Sequence, residues 1–137
     1  MIALPLILVA TQMPTVRAEG HEQRWEYITQ DNDGNSTLLD LSSIVRTRQI
    51  VTIWTKTVWR FVATDKVTHS MHRYGYSCGD RTYQLLTVSH FNQAGNTVRR
   101  PPPQSLAGRL RDMLPGPVQQ VVPESVAERV FLRVCAS

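Results

Sequence analysis

The two cysteines place the strongest constraint on how this chain of 137 residues can fold. Cys78 lies in residues 74–86, a stretch of aromatic and aliphatic residues typical of strands, and Cys135 ends a segment with helical periodicity near the C-terminus. A bond between them would fasten that helix across a sheet. The alternative is a catalytic thiol, which needs a partner base and a lowered thiol pKa, and the sequence around Cys78 shows no such signature.

The N-terminal segment indicates export. Residues 2–10 are apolar and have the length of a signal-peptide core, and Val16-Arg17-Ala18 resembles a cleavage site. The apolar run is too short to cross a bilayer as an anchor. We therefore expect residues 1–18 to be a signal peptide and residues 19–137 to form a single domain. The alternative for the apolar run is a buried first strand.

Export also determines whether the cysteines can pair and where the protein is located. Two cysteines in an oxidising compartment are expected to pair, and a bridge that closes a loop of this size contributes about 4 kcal/mol in the chain-entropy model. No cysteine follows the apolar run, so no lipid-modified N-terminus is expected. The predicted location is the periplasm, the medium or the cell surface, without a lipid anchor.

Positive charge is modest and mostly dispersed along the chain. The formal net charge is +4, and a nucleic-acid-binding protein usually concentrates its charge more strongly. We expect no nucleic-acid partner. One basic cluster stands out and is a candidate patch for an anion or a protein partner, with a solvated loop as the alternative: Arg99, Arg100, Arg109 and Arg111.

Residue periodicity predicts an α+β fold, namely an antiparallel sheet of about six strands with a C-terminal α-helix tied to it by a Cys78–Cys135 disulfide. Polar turns rich in Asn, Asp and Gly separate several of the apolar runs, which predicts hairpins. Residues 42–48 and 61–67 are predicted to be connections. The predicted strands cover residues 25–29, 36–41, 50–59, 69–78, 81–91 and a short run from residue 97.

Two helices are predicted after the strands. Residues 105–114 fit a short helix that lies between prolines. Residues 125–135 fit a longer amphipathic helix, in which Ser125 and Glu128 form a capping box. Its apolar side chains recur every four residues and should face the sheet.

Metal ligation and catalysis are the alternatives to a binding or structural role. His69 and His72 are three residues apart, so in a strand they point to opposite faces. Asp31, Asp33 and Asn35 resemble the start of a calcium loop, but Ser36 and Ser42 stand where that loop needs glycine and glutamate. We therefore expect no catalytic residue, metal or cofactor.

Several segments in this order resemble the surface-adhesin protein E family of small exported bacterial proteins. Relative to that family, residues 101–117 form an insertion, and Gln119-Gln120-Val121 replaces a frequent tryptophan. The matching segments are Trp25, Asp40 with Ser43-Ile44, residues 51–56, Cys78 with Arg81, residues 83–86, Gly95, residues 122–125 and Val134-Cys135.

This resemblance implies a non-enzymatic binding module of the cell envelope that acts as an adhesin for host extracellular proteins and can form a homodimer. Two alternatives remain open. One is a small periplasmic metal-binding protein or enzyme that uses His69, His72 or the turn carboxylates. The other is a structural subunit of a cell-envelope assembly.

Overall fold

The computed structural model describes Ala3, residues 24–101 and residues 104–136. The predicted signal peptide, apart from Ala3, lies outside the described residues. The elements, numbered along the chain, are β1 Trp25–Gln30, β2 Ser36–Arg46, β3 Ile50–Val58, β4 His69–Ser77, β5 Thr82–Phe91, β6 Thr97–Val98, α1 Leu106–Arg111, β7 Gln119–Gln120 and α2 Val126–Cys135.

The strands form one antiparallel sheet in which β1 to β6 are neighbours in sequence order. Each strand pairs with the next one along the chain, as hairpin connections require. The short β7 pairs with the first residues of β5, and β6 pairs with the last residues of β5 along the same edge. The predicted sheet of about six strands with a C-terminal helix is confirmed.

The core lies between α2 and one face of the sheet. Strand β3 alternates between buried and partly buried side chains, and its buried face carries Val51, Ile53 and Thr55. Helix α2 buries Val130, Phe131 and Val134. The predicted apolar stripe is therefore the surface that holds the helix on the sheet.

Both ends of α2 are fixed by specific contacts. The Ser125 hydroxyl accepts a hydrogen bond from Glu128 N at 3.1 Å, and Glu128 Oε1 accepts one from Glu124 N at 3.1 Å. At the other end, Arg46 Nη2 donates to Val134 O at 2.8 Å. The Cys78–Cys135 disulfide joins the end of the helix to the chain after β4, with the two Cα atoms 5.6 Å apart. The predicted bridge is thus confirmed.

The prediction of a connection over residues 42–48 is wrong for its first part, because β2 continues to Arg46. The pairing of β2 with β3 shifts register between Asp40 and Val45. At this irregularity the Ser43 hydroxyl accepts a hydrogen bond from Trp54 N at 2.9 Å and donates one to Asp40 O at 2.6 Å. The serine side chain replaces a ladder carbonyl, so polar residues continue the strand through a bulge.

Candidate functional site

A large concavity lies on the α2 side of the sheet, over β4 and β5. Thr55 pairs with His72, and His72 pairs with Val88, so these side chains share the face that carries the core. Residues 97–101, Arg109 and residues 112–114 also line it. The cavity has a volume of about 960 Å³, at the upper end of the range of small-ligand pockets.

The floor and part of the rim are apolar. Leu85, Val88 and Val98 contribute from the sheet, and Met113 and Leu114 contribute from the segment that follows α1. Met113 and Leu114 remain 58% and 44% exposed, respectively. Large apolar side chains so open to solvent at the edge of a cavity are typical of a surface that is covered when a partner binds.

Three of the four arginines in the predicted patch line this cavity: Arg99, Arg100 and Arg109. The side chain of Arg111 lies outside the described residues. Arg100 Nε forms an ion pair with Asp65 Oδ2 at 2.8 Å, so its charge is partly neutralised. Asp112 also lines the cavity. Arg99 and Arg109 form no ion pair with any described residue, which leaves two exposed cations at the rim.

His90 is held at the cavity by a partly buried chain of hydrogen bonds. Trp59 Nε1 donates to Ser70 Oγ at 2.8 Å, and Ser70 Oγ lies 2.6 Å from His90 Nδ1. Because the indole can only donate and Ser70 is fully buried, the hydroxyl proton is best directed at His90 Nδ1, which leaves the ring proton on Nε2. Burial, reinforced by the charge of Arg100, lowers the pKa of His90, so the ring is neutral at pH 7.

His72 is the more deeply buried histidine of the cavity. Its ring lies 5.8 Å from that of Tyr74, in a stacked arrangement. Burial, followed by the nearby His90, lowers the pKa of His72 to about 4. Both histidines therefore present neutral rings to a ligand, and the positive charge of the site comes from the arginines.

The other predicted polar sites are used in local structure. His69 stacks on Phe91 at 5.3 Å on the face opposite His72, as the strand period requires. The Asp31 carboxylate accepts hydrogen bonds from Asn35 N, Asn35 Nδ2 and Asp33 N, which form the turn and lower the pKa of Asp31. Within the described ranges, no group of three or more His, Cys, Asp or Glu side chains could hold a metal ion.

Sequence reasoning found the arginines but missed His90 as a neighbour of the patch. The missing information was strand register, because His72 and His90 meet only when β4 and β5 are aligned. The turn at residues 92–96 aligns His90 with Val98 on β6. A search for histidines on neighbouring strands whose side chains point to the same face of the sheet could have grouped His72 with His90.

A family model described as surface-adhesin protein E matches residues 25–136, which is most of the chain. The chain belongs to the surface-adhesin protein E family. Among curated protein sequences, none matches the chain significantly. No helix within the described ranges has the length and apolar character needed to cross a membrane.

Solved structures of protein E from Haemophilus influenzae share this fold. One structure has a TM-score of 0.57 at 11% sequence identity, with 82% of this chain and 84% of that chain covered. A structure from crystal form II has a TM-score of 0.57 at 10% identity, with 82% and 87% covered. One from a non-typeable strain has a TM-score of 0.53 at 11% identity, with 82% and 76% covered. At such identities, the similarity defines the fold of this family member.

Proposed function

We propose that this family member is an exported, non-enzymatic binding module of the bacterial cell envelope that acts as an adhesin for a host extracellular protein. The match of the surface-adhesin protein E model to residues 25–136 is the observation that carries this proposal. Export would follow cleavage after Ala18, and the disulfide suits an oxidising compartment.

The arginine-lined cavity is the surface proposed to receive the partner. It combines an apolar floor with two cations that form no ion pair in the described part of the chain, Arg99 and Arg109. Arginine binds carboxylates through two parallel hydrogen bonds, so an acidic surface of a partner protein would complement this rim. His90 Nδ1 lies 2.6 Å from Ser70 Oγ, but Ser70 is fully buried, so its hydroxyl is closed to a substrate.

Gain of adhesion tests this function directly. The mature chain, displayed on a non-adherent bacterium, is expected to make that bacterium adhere to surfaces coated with extracellular-matrix or plasma proteins. A strain that displays an unrelated disulfide-bonded domain at the same density is the control. Equal adherence of the two strains on every coated surface would contradict the proposed function.

A further inference from the structure

We propose that the cavity binds an acidic peptide segment of the partner, in which a large apolar side chain enters the cavity and flanking carboxylates bind Arg99 and Arg109. This inference rests on the proposed function and specifies the chemistry of the partner at that same site.

The apolar anchor is inferred from large apolar side chains that remain more than half exposed. Leu106 and Leu110 on α1 are 66% and 55% exposed, and Met113 extends the same exposed surface to the cavity. A helix normally buries such a face against the domain. The cavity floor of Leu85 and Val88 lies beside this surface and offers apolar contacts to a side chain that enters between them and Met113.

The carboxylates are inferred from the charge balance at the rim. Arg100 is already tied to Asp65, which leaves Arg99 and Arg109 to face the single carboxylate of Asp112 among the lining residues. The neutral rings of His72 and His90 add no charge deeper in the cavity. Positive charge at the rim over an apolar floor matches an apolar residue flanked by acidic ones.

The shape of the site favours a peptide segment over a bilayer or a free anion. A membrane surface would touch the exposed leucines of α1 but would not reach Val88 on the sheet floor. A single inorganic anion would leave most of a cavity of about 960 Å³ unfilled. A short segment can satisfy both the floor and the rim, as in side-chain anchors of protein interfaces.

Fluorescence anisotropy of the mature protein with labelled hexapeptides tests the inference. The probe is Asp-Glu-Phe-Leu-Glu-Asp, and the comparison peptides are Lys-Lys-Phe-Leu-Lys-Lys and Asp-Glu-Ser-Ser-Glu-Asp. The first peptide is expected to bind most tightly. The lysine peptide lacks the carboxylates and the serine peptide lacks the apolar side chains, so each should bind at least about tenfold more weakly.

Matched variants locate the site. R99Q with R109Q should weaken binding of the probe at least about tenfold, as should V88W, which fills the floor. R48Q with R129Q changes two exposed arginines elsewhere and should leave the affinity unchanged. Met113→Gln should weaken binding, whereas Leu132→Gln, at a leucine on α2 that is 51% exposed, should not. Far-ultraviolet circular dichroism and thermal unfolding verify that each variant is folded.

Three results would overturn the inference: no binding of the probe, equal binding of all three peptides, or equal affinity in the R99Q/R109Q and R48Q/R129Q proteins. Binding of the protein to phosphatidylglycerol vesicles is measured as well. If the protein binds the vesicles but not the peptide, and R99Q/R109Q reduces that binding, the surface is assigned to lipid instead. Adherence of the displayed chain without peptide binding would refute only this inference. Peptide binding without adherence would refute only the adhesin function.

Discussion

The guanidinium carbon of Arg81 lies 4.8 Å from the centre of the Phe131 ring, and Arg81 Nη2 lies 3.1 Å from Glu128 Oε2. One side chain just before β5 therefore contacts two residues of α2. Arg81 makes these contacts from a backbone conformation with φ of 54°, in the left-handed region that non-glycine residues rarely adopt. The contacts hold the N-terminal part of α2 on the sheet, while the disulfide holds its C-terminal end.

Substitution of Arg81 should separate the side-chain contacts from the backbone strain. Arg81→Ala removes both contacts and should lower the free energy of unfolding by about 1 kcal/mol. Arg81→Gly removes the same contacts but tolerates the left-handed conformation, and it should be about 1 kcal/mol more stable than Arg81→Ala. Urea denaturation of both variants checks this order, and a glycine variant less stable than the alanine variant would contradict it.

Removal of the disulfide should destabilise the protein by about 2–5 kcal/mol, because the unfolded chain regains the freedom of a long loop. The Cys78→Ser/Cys135→Ser protein should also lose hydrogen-exchange protection in α2 before it loses protection in β3, since α2 is too short to persist unpacked. Wild-type protein, denatured without reductant, should give no thiol labelling. Two reactive thiols per chain, or an α2 as protected as β3 in the double variant, would contradict this account.

The two helices should respond differently to substitution. Val134 is fully buried, and Val134→Ala should lower the free energy of unfolding by about 1–3 kcal/mol. Leu110 on α1 is 55% exposed, and Leu110→Gln should change the free energy of unfolding by less than about 0.5 kcal/mol. Thermal and urea unfolding of the two variants provide the comparison. A large loss of stability in Leu110→Gln would mean that α1 is part of the core.

Local patterns predicted the hairpins, α2 and its capping box because each depends on neighbouring residues. The alternation in β3 and the four-residue repeat in α2 are visible in the sequence and correspond to buried faces. The bulge in β2 was not predicted, because the Ser43 hydroxyl takes the place of a backbone carbonyl in the pairing with β3. Residue periodicity contains no signal for such a hydrogen bond.

The cavity could not be predicted because its outer wall depends on long-range contacts. Gly116 N donates to Leu85 O at 2.8 Å, and Gln84 Nε2 donates to Gly116 O at 2.7 Å. These two bonds fix the end of the segment of residues 101–117 to β5, with residues 97–98 fixed to the other end of the same strand. The four arginines were grouped because they lie close together along the chain, but the sequence contains no local signal for the apolar floor beneath them.

Acidification should destabilise the protein through His72. Its pKa is about 4 in the folded protein and about 6.5 when unfolded, so below pH 6.5 the unfolded chain binds a proton that the folded protein excludes. Stability is fully present above pH 6.5 and decreases as the pH falls towards 4, by up to about 3 kcal/mol for this residue.

His72→Phe should remove most of this pH dependence. The buried His72 Nδ1 has no hydrogen-bond partner in the described chain, so the phenyl ring loses no bond at that atom and can still stack on Tyr74. His69→Phe, on the opposite face, is the matched control and should keep the greater part of the dependence. Urea denaturation at pH 7 and pH 4.5 measures the difference, and equal pH dependence in wild type and His72→Phe would contradict the prediction.

Adherence of bacteria that display charge-reversed variants tests the central claim most directly, namely that the partner binds at the arginine-lined cavity. R99E with R109E should reduce adherence to the coated surface that wild type binds to near that of the control strain. R48E with R129E makes the same change in net charge at exposed positions elsewhere and should leave adherence within about twofold of wild type, a difference below 0.5 kcal/mol. Equal adherence of the two double variants, at equal surface density, would contradict the claim.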